Sequence, residues 1–138
     1  VQKDGFEKSG HFDEGLRSLE DIDMWMRLAS VGGYACVDEP LAVIVKRPES
    51  MSGNLDVMRE AAITVMRKNR MLLPPSRRGA FWRHAYAGML SDYAKWAWRS
   101  NRRTQALQDV LTGLCLAPLS RGKLMIGLLM AMALNRTV

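Results

Sequence analysis

Residues 19–28 read Leu19-Glu20-Asp21-Ile22-Asp23-Met24-Trp25-Met26-Arg27-Leu28, with three carboxylates at the start of an apolar pattern. The apolar residues of this segment recur at the spacing of one helix face, which predicts a helix from residue 20 to residue 30. Gly32 and Gly33 follow and end it. The positive end of a helix dipole favours anions in the first turn, by roughly 0.3–1 kcal/mol each. Asp23 is also placed to pair with Arg27 one turn later.

The three acids have two explanations. They can complete the helix terminus, because acidic residues are common in first turns. However, one acid is enough for capping, and clustered carboxylates repel one another. A carboxylate kept ionised at a helix terminus is also suited to take a proton from an attacking hydroxyl group. The residue pattern alone favours the first explanation and leaves the second open.

The segments on either side of residue 54 differ in character. Two short strands are predicted after the first helix, at residues 34–37 and 41–45, joined by a turn at Asp38-Glu39-Pro40. Beyond residue 54 the pattern is helical throughout, with breaks at Pro74-Pro75, at residues 100–101 and at Pro118. We therefore predict an α+β, mainly α, fold: a two-strand element with helices at the N-terminal end, and antiparallel helical hairpins at the C-terminal end.

Charge divides the chain at the same place. Residues 1–53 carry 6 Lys and Arg against 10 Asp and Glu, whereas residues 54–138 carry 14 against 4. An acidic front and a basic back indicate two parts with different roles, which we take as residues 1–53 and 54–138. A basic surface can meet the phosphates of nucleic acid, of lipid head groups or of a nucleotide sugar, and charge alone does not choose among them.

Composition excludes several classes of protein. A hydrophobic fraction of 48% and a charged fraction of 25% are globular values, far from those of disordered chains. Two cysteines, Cys36 and Cys115, are too few for a disulfide framework and wrongly spaced for zinc, so we expect buried thiols in a reducing compartment. The mixed, charged first twenty residues do not resemble a signal peptide. We expect a cytoplasmic location, and a chain that is a piece of a longer protein.

Residues 124–134 form an unbroken apolar run of 11 residues. A membrane span needs about 20, so the run is expected to be a buried helix, an oligomer contact or an interfacial segment. Its length favours the first two. Arg121 and Lys123 at its start would suit a membrane surface.

Residues 1–54 resemble the C-terminal part of the catalytic domain of bacterial family-two inverting glycosyltransferases, which have the GT-A fold. The segment 1–14 is similar to a segment of that family that ends in Phe-Asp-Glu, here Phe12-Asp13-Glu14. Residues 20–27 resemble the family's Glu-Asp-x-Asp-Leu-x-x-Arg motif. Residues 33–42 resemble the strand pair that follows it, and Ser50-Met51-Ser52 resembles a serine-rich tail. Several motifs in the right order make the likeness fairly specific.

The resemblance implies a mechanism and a set of site residues. Asp21 would be the general base that deprotonates an acceptor hydroxyl, which attacks the anomeric carbon of a nucleotide-activated sugar with inversion. Glu20 would shape the acceptor side, and the loop carrying His11 and Phe12 would lie next to the acceptor. Trp25 lies on the apolar stripe and is expected in the core.

Two departures from the family pattern bear on cofactors. The nucleotide-binding half, with its Asp-x-Asp metal motif, precedes the matching region in the family and is not in this sequence. We therefore expect no metal or cofactor site within the chain, a requirement for Mg or Mn in the full-length enzyme, and no activity of the fragment alone. Arg47 stands where many members have a histidine. Arginine has no lone pair for a metal, but it can grip a diphosphate, and an exposed loop arginine is the equal alternative.

The partners implied are a nucleotide sugar and an acceptor glycan or lipid. Without its sheet, the front part is expected to expose apolar surface that a homodimer would bury. The alternative to an enzyme part is a helical module that binds a protein or a membrane without catalysis. Under either interpretation, the cytoplasmic location leaves room for peripheral contact with the inner face of the membrane. No motif supports nucleic acid as a partner.

Overall fold

The computed structural model describes residues 3–43, 45, 50 and 53–136. Its regular structure over these residues consists of helices: α1 (Lys3–Ser9), α2 (Glu20–Val31), α3 (Leu55–Lys68), α4 (Ala80–Arg99), α5 (Arg103–Leu116) and α6 (Pro118–Ala133). Short 3-10 turns span Asn69–Leu72 and Pro75–Arg77. The chain divides into two compact units, Val1–Leu72 and Leu73–Val138.

The α+β prediction is wrong, because the described residues contain no strand. Residues 34–37, 41–43 and 45 are extended or irregular, and Tyr34, Val37, Leu41 and Val43 are exposed. The preference of such side chains for strands reflects packing against neighbouring strands and a covered face. An isolated pair of short strands is at best marginally stable. The pattern was strand-like, but this segment has no sheet on which to pack.

The Val1–Leu72 unit is built around α2. Its apolar core contains Met24 and Leu28 of α2 together with Leu55, Ala61, Ala62 and Val65 of α3. Helix α1 and the Asn69–Leu72 turn both pack on α2. Gly10 ends α1, with a left-handed φ of 79° and its N–H donating to the carbonyl of Phe6 at 3.0 Å.

The Leu73–Val138 unit consists of α4, α5 and α6. These helices form two consecutive hairpins, and α6 also packs on α4. Small side chains line the contacts: Ala87, Ala94, Ala97 and Ala106 are fully buried. At Gly113 an added Cβ would lie 2.5 Å from Cε of Met125, so α5 and α6 approach closely there.

Helices α4 and α6 end in the same way. Asn101 and Asn135 adopt left-handed φ values of 61° and 50°. The next residue then donates its N–H back into the helix, from Arg102 to Ala97 and from Arg136 to Ala131, each at 2.8 Å. This is the Schellman arrangement, in which asparagine replaces the commoner glycine. It places an arginine directly after each helix.

The apolar run of residues 124–134 lies in α6 except for its last residue, and it has two faces. Met125, Leu128 and Met132 are buried, whereas Ile126 and Met130 are 50% and 61% exposed. The expectation of a buried helix is therefore right for one face of α6 only. Among the helices described, none has the length and apolar character needed to cross a membrane.

The boundary predicted between residues 53 and 54 separates two parts with different roles, and it stays a prediction. The compact units divide after Leu72, so α3 belongs with the N-terminal residues. The reason lies in the contacts of Lys68 and Asn69, which bond to α2.

Core packing in the second unit yields a stability prediction. We expect Leu90→Ala to lower the free energy of unfolding by about 2–5 kcal/mol, because Leu90 is 2% exposed and the truncation leaves a cavity. The matched control is Leu119→Ala, since Leu119 is 101% exposed and its loss should cost under about 0.5 kcal/mol. Urea unfolding followed by circular dichroism measures both. Equal effects of the two substitutions would contradict the packing described.

Candidate active site at the start of helix α2

Helix α2 begins without a side-chain cap. Leu19 precedes it in a left-handed conformation, with φ of 59°. The Asp21 carboxylate accepts the N–H of Ile22 through Oδ1 at 2.8 Å, which satisfies one of the amides that a helix start leaves unpaired. Glu20 and Asp21 are both exposed. The first turn therefore presents two carboxylates to solvent.

The third carboxylate of the motif points inward. Asp23 is 0% exposed and accepts three hydrogen bonds. Arg27 Nε and Lys68 Nζ each donate to Oδ2 at 3.0 Å, and Asn69 Nδ2 donates to Oδ1 at 2.7 Å. The same Asn69 nitrogen donates to the Val65 carbonyl at 3.1 Å, which fixes the orientation of the amide. The predicted pairing of Asp23 with Arg27 is confirmed, whereas the bonds from Lys68 and Asn69 were not predicted.

Arg27 connects this buried carboxylate to the loop before α2. Its Nη1 donates to the Ser9 carbonyl, and its Nη2 donates to the His11 carbonyl at 2.9 Å. Lys68 makes a second connection, because its Nζ lies 2.5 Å from Oδ2 of Asp13. The loop is thus held at two points by the cations that neutralise Asp23.

The pKa values of this cluster follow from its contacts. Burial raises the pKa of the Asp23 carboxyl, but the bonds from Asn69, Lys68 and Arg27 outweigh burial and leave it below the ordinary value of 3.8. The bond from Lys68 likewise lowers the pKa of Asp13. Burial lowers the pKa of Lys68, and its bonds to Asp13 and Asp23 outweigh this and raise it above 10.5. All three groups are therefore charged at neutral pH.

The bonds from Arg27 and Lys68 hold the predicted acceptor loop, which carries His11 and Phe12, beside α2. The side chains of His11 and Phe12 are exposed, and the ring of Phe12 lies 6.0 Å from that of Phe6, centroid to centroid. Arg27 holds the backbone of His11 and leaves its imidazole at the surface. The structure therefore ties the His11–Phe12 loop to the helix that carries Glu20 and Asp21. Arg47 lies outside the described residues.

Trp25 is not in the core as expected, because 51% of it is exposed. The pattern of apolar residues misplaced the buried face of α2, which is formed by Asp23, Met24 and Leu28. Because the charged Asp23 occupies a position in the core, the spacing of the apolar residues predicted the wrong buried face of α2. Trp25 follows Asp21 by four residues, and the two side chains share the exposed face.

The cysteine prediction is also wrong, since Cys36 and Cys115 are both exposed. Cys36 lies in the segment that lacks the predicted sheet, and Cys115 lies on the outer face of α5. Within the described ranges, no group of three or more His, Cys, Asp or Glu side chains could hold a metal ion.

The described part of the Val1–Leu72 unit has shallow pockets, of which two bear on the site. The first lies between the loop and α3, where Arg17 and Glu60 are its charged lining residues. The second lies between α1 and the end of α2, next to Gly33 and Tyr34. Neither is lined by Asp21 or Glu20, which stand on an open surface.

Comparison with known proteins identifies no relative of this chain. No family model, curated protein or solved structure matches this chain. Any role of Asp21 therefore depends on the sequence motif and on the geometry of α2.

The two aspartates of the motif should respond differently to the same substitution. We expect Asp23→Asn to lower the free energy of unfolding by about 3 kcal/mol, because two cations lose their buried counter-charge. Asp21→Asn is the matched control, since an asparagine oxygen can still accept the Ile22 N–H and only the dipole interaction of about 0.3–1 kcal/mol is lost. Chemical denaturation measures both. A larger loss for Asp21→Asn would show that the buried cluster is assigned to the wrong residue.

Stability should fall at both ends of the pH range. The lowered carboxyl pKa values contribute stability that is present above about pH 4 and is lost as pH falls through the folded-state values. The raised Lys68 pKa contributes stability that is present below pH 10.5 and is lost as pH rises through the folded-state value. Urea unfolding at a series of pH values tests this. Asp23→Asn should flatten the acid limb, and an unchanged acid limb would contradict the role given to Asp23.

Proposed function

We propose that the chain is the acceptor-side part of an inverting glycosyltransferase, in which Asp21 is the general base. The observation that carries the proposal is the division of the Glu-Asp-x-Asp-x-x-x-Arg motif in space. Asp23 and Arg27 turn inward and bond to each other, while Glu20 and Asp21 stand exposed at the helix start. One pair holds the structure, and the other pair is accessible to substrate.

The contacts of Arg27 support this assignment. A purely structural ion pair needs only Asp23, yet Arg27 also binds the carbonyls of Ser9 and His11. These bonds hold the loop that the resemblance assigns to the acceptor against the helix that carries the base. Catalytic groups work best when backbone and buried contacts fix their positions in this way.

The proposed reaction needs one proton acceptor on this side. The acceptor O–H breaks as its oxygen bonds to the anomeric carbon, the proton moves to the Asp21 carboxylate, and the nucleoside diphosphate leaves from the opposite face with its electron pair. The bond from Ile22 N–H occupies Oδ1 of Asp21, which leaves Oδ2 to receive the proton. Glu20, His11 and Phe12 are the proposed acceptor contacts, and the exposed face of Trp25 can stack on an acceptor sugar ring.

The residues that bind the sugar donor are assigned to parts of the protein outside the described residues. We assign diphosphate binding to Arg47, because it stands where many members of the family have a histidine and because an arginine can grip a diphosphate. The nucleotide site and the Mg or Mn expected of the full-length enzyme would come from the half of the family fold that precedes this region.

The test compares base and control variants of the longer protein that carries this chain. We expect Asp21→Asn to lower kcat for sugar transfer by roughly 10²–10⁴-fold, since that is the usual contribution of a positioned general base. The matched control is Asp4→Asn, an exposed acid on α1, which should leave kcat unchanged. Both variants should keep the circular dichroism spectrum and melting temperature of the parent.

Two outcomes would overturn the proposal. The first is full transfer activity in a folded Asp21→Asn protein. The second is a gene in which no α/β segment with an Asp-x-Asp pair precedes this region. The isolated 138-residue chain is expected to show no transfer, and activity of that chain would refute the placement of the donor site outside it.

A further inference from the structure

Helix α6 carries an apolar stripe that its own unit leaves uncovered. Four of its five members are large and apolar, and the fifth is a lysine; all are exposed and recur every three or four residues. They are Leu119, Lys123, Ile126, Met130 and Leu134. The opposite face of α6 packs on α4 and α5. The stripe, called the α6 stripe below, therefore runs along the whole helix on its outer side.

The α6 stripe ends beside a group of exposed arginines. The indole N–H of Trp98, near the end of α4, donates to the Arg136 carbonyl at 3.3 Å, so the C-terminal ends of α4 and α6 lie together. The guanidinium carbon of Arg103 lies 3.6 Å from the centre of the Trp98 ring. Arginines crowd this end of the unit, called the basic end below: Arg99, Arg102, Arg103 and Arg136 are all exposed.

Acidic residues do not balance this charge. The sequence from residue 73 to residue 138 holds ten Lys and Arg but only Asp92 and Asp109 as acids. Asp109 is 1% exposed, and the Asp92 carboxylate lies 2.6 Å from Lys95 Nζ. The outer surface of this unit therefore carries a strong positive field next to an exposed apolar stripe.

We propose that the Leu73–Val138 unit docks on an anionic lipid surface, with the α6 stripe in the head-group region and the basic end against the lipid phosphates. An amphipathic helix with an exposed apolar face can lie along a bilayer surface, and attraction to anionic lipid adds to the burial of that face. Lys123 can extend from the stripe to the phosphates while its methylenes stay in the apolar layer. Trp98 suits the interface, where an apolar ring with a polar N–H is favoured.

Charge argues against a second copy of the chain as the occupant. A parallel pair of α6 stripes would bring Lys123 and the basic ends of two copies towards each other, and like charges at an interface oppose association. An antiparallel pair would instead place each Lys123 against the apolar part of the other stripe, where its ammonium group would lose hydration. An anionic bilayer meets the same features with opposite charge. The proposal stands on this unit alone and does not depend on the glycosyltransferase assignment.

The experiment is co-sedimentation of the 138-residue chain with vesicles. We expect binding to vesicles of phosphatidylcholine with about 30% phosphatidylglycerol, and binding at least about tenfold weaker to pure phosphatidylcholine, because each basic residue near an anionic surface adds attraction. Binding should weaken as salt rises from 0.1 M to 0.5 M, since salt screens this attraction.

Matched variants separate position from net charge. Arg99→Gln with Arg103→Gln should weaken binding by about tenfold or more. Arg67→Gln with Arg83→Gln removes the same charge elsewhere and should have a much smaller effect. Ile126→Ser with Met130→Ser should also weaken binding about tenfold, whereas Val43→Ser, at an exposed apolar residue of the other unit, should not. All substituted side chains are exposed, so the fold should survive.

Three results would overturn the proposal. One is equal binding to anionic and neutral vesicles, or to neither. Another is an equal effect of the two arginine pairs, which would leave only nonspecific charge attraction. The third is a dimer that Ile126→Ser with Met130→Ser converts to a monomer without any change in vesicle binding, which would make the α6 stripe an interface between copies.

Discussion

The Val1–Leu72 unit depends on the neutralisation of one buried carboxylate. Asp23 has no exposed surface, and an unpaired charge in that position would cost several kcal/mol. Its three donors come from different places: Arg27 from the same helix, Lys68 from the end of α3 and Asn69 from the turn after it. Burial of Asp23 therefore requires α2 and α3 to meet in one register. The loop before α2 is fixed by the same cations, through Ser9, His11 and Asp13.

This constraint explains why the acidic motif has two kinds of members. Asp23, the third acid of the motif, is buried and needs a cation one turn later. Arg27 provides that cation, and its side chain is long enough to reach past the carboxylate to the loop carbonyls. The first two acids have no such partner in the core and remain at the surface. The buried pair can therefore be kept for folding while the exposed pair is free to serve a reaction. The proposed base owes its position to residues that do not themselves touch substrate.

Sequence reasoning located most helices and failed where tertiary contacts decide. The helices follow from apolar periodicity and from breaks at Pro74-Pro75 and Pro118, which are local signals. The strands predicted at residues 34–37 and 41–45 were wrong because strand preference depends on a neighbouring sheet, which no local pattern can supply. The exposure of Trp25 was missed because a buried aspartate displaced the apparent core face. Lys68 and Asn69 lie about 45 residues from Asp23 in the chain, so no residue near the motif indicated that they bond to Asp23. The candidate site could be named from the motif; its support could not.

The second unit is organised by close packing of small residues, and this has a consequence for its surface. Alanines and Gly113 let α4, α5 and α6 approach closely, and Met125, Leu128 and Met132 of α6 are buried there. Ile126 and Met130, on the outer face, stay exposed. If this unit docks on lipid, the covalently linked α2 site is held at the same surface whatever the arrangement of the two units. Tethering of that kind raises the effective concentration of a membrane-borne acceptor without any new contact to it. Transfer to a lipid-linked acceptor would become faster through this effect, whereas transfer to a soluble glycan would not. Whether docking on lipid accelerates transfer therefore distinguishes the two acceptor classes.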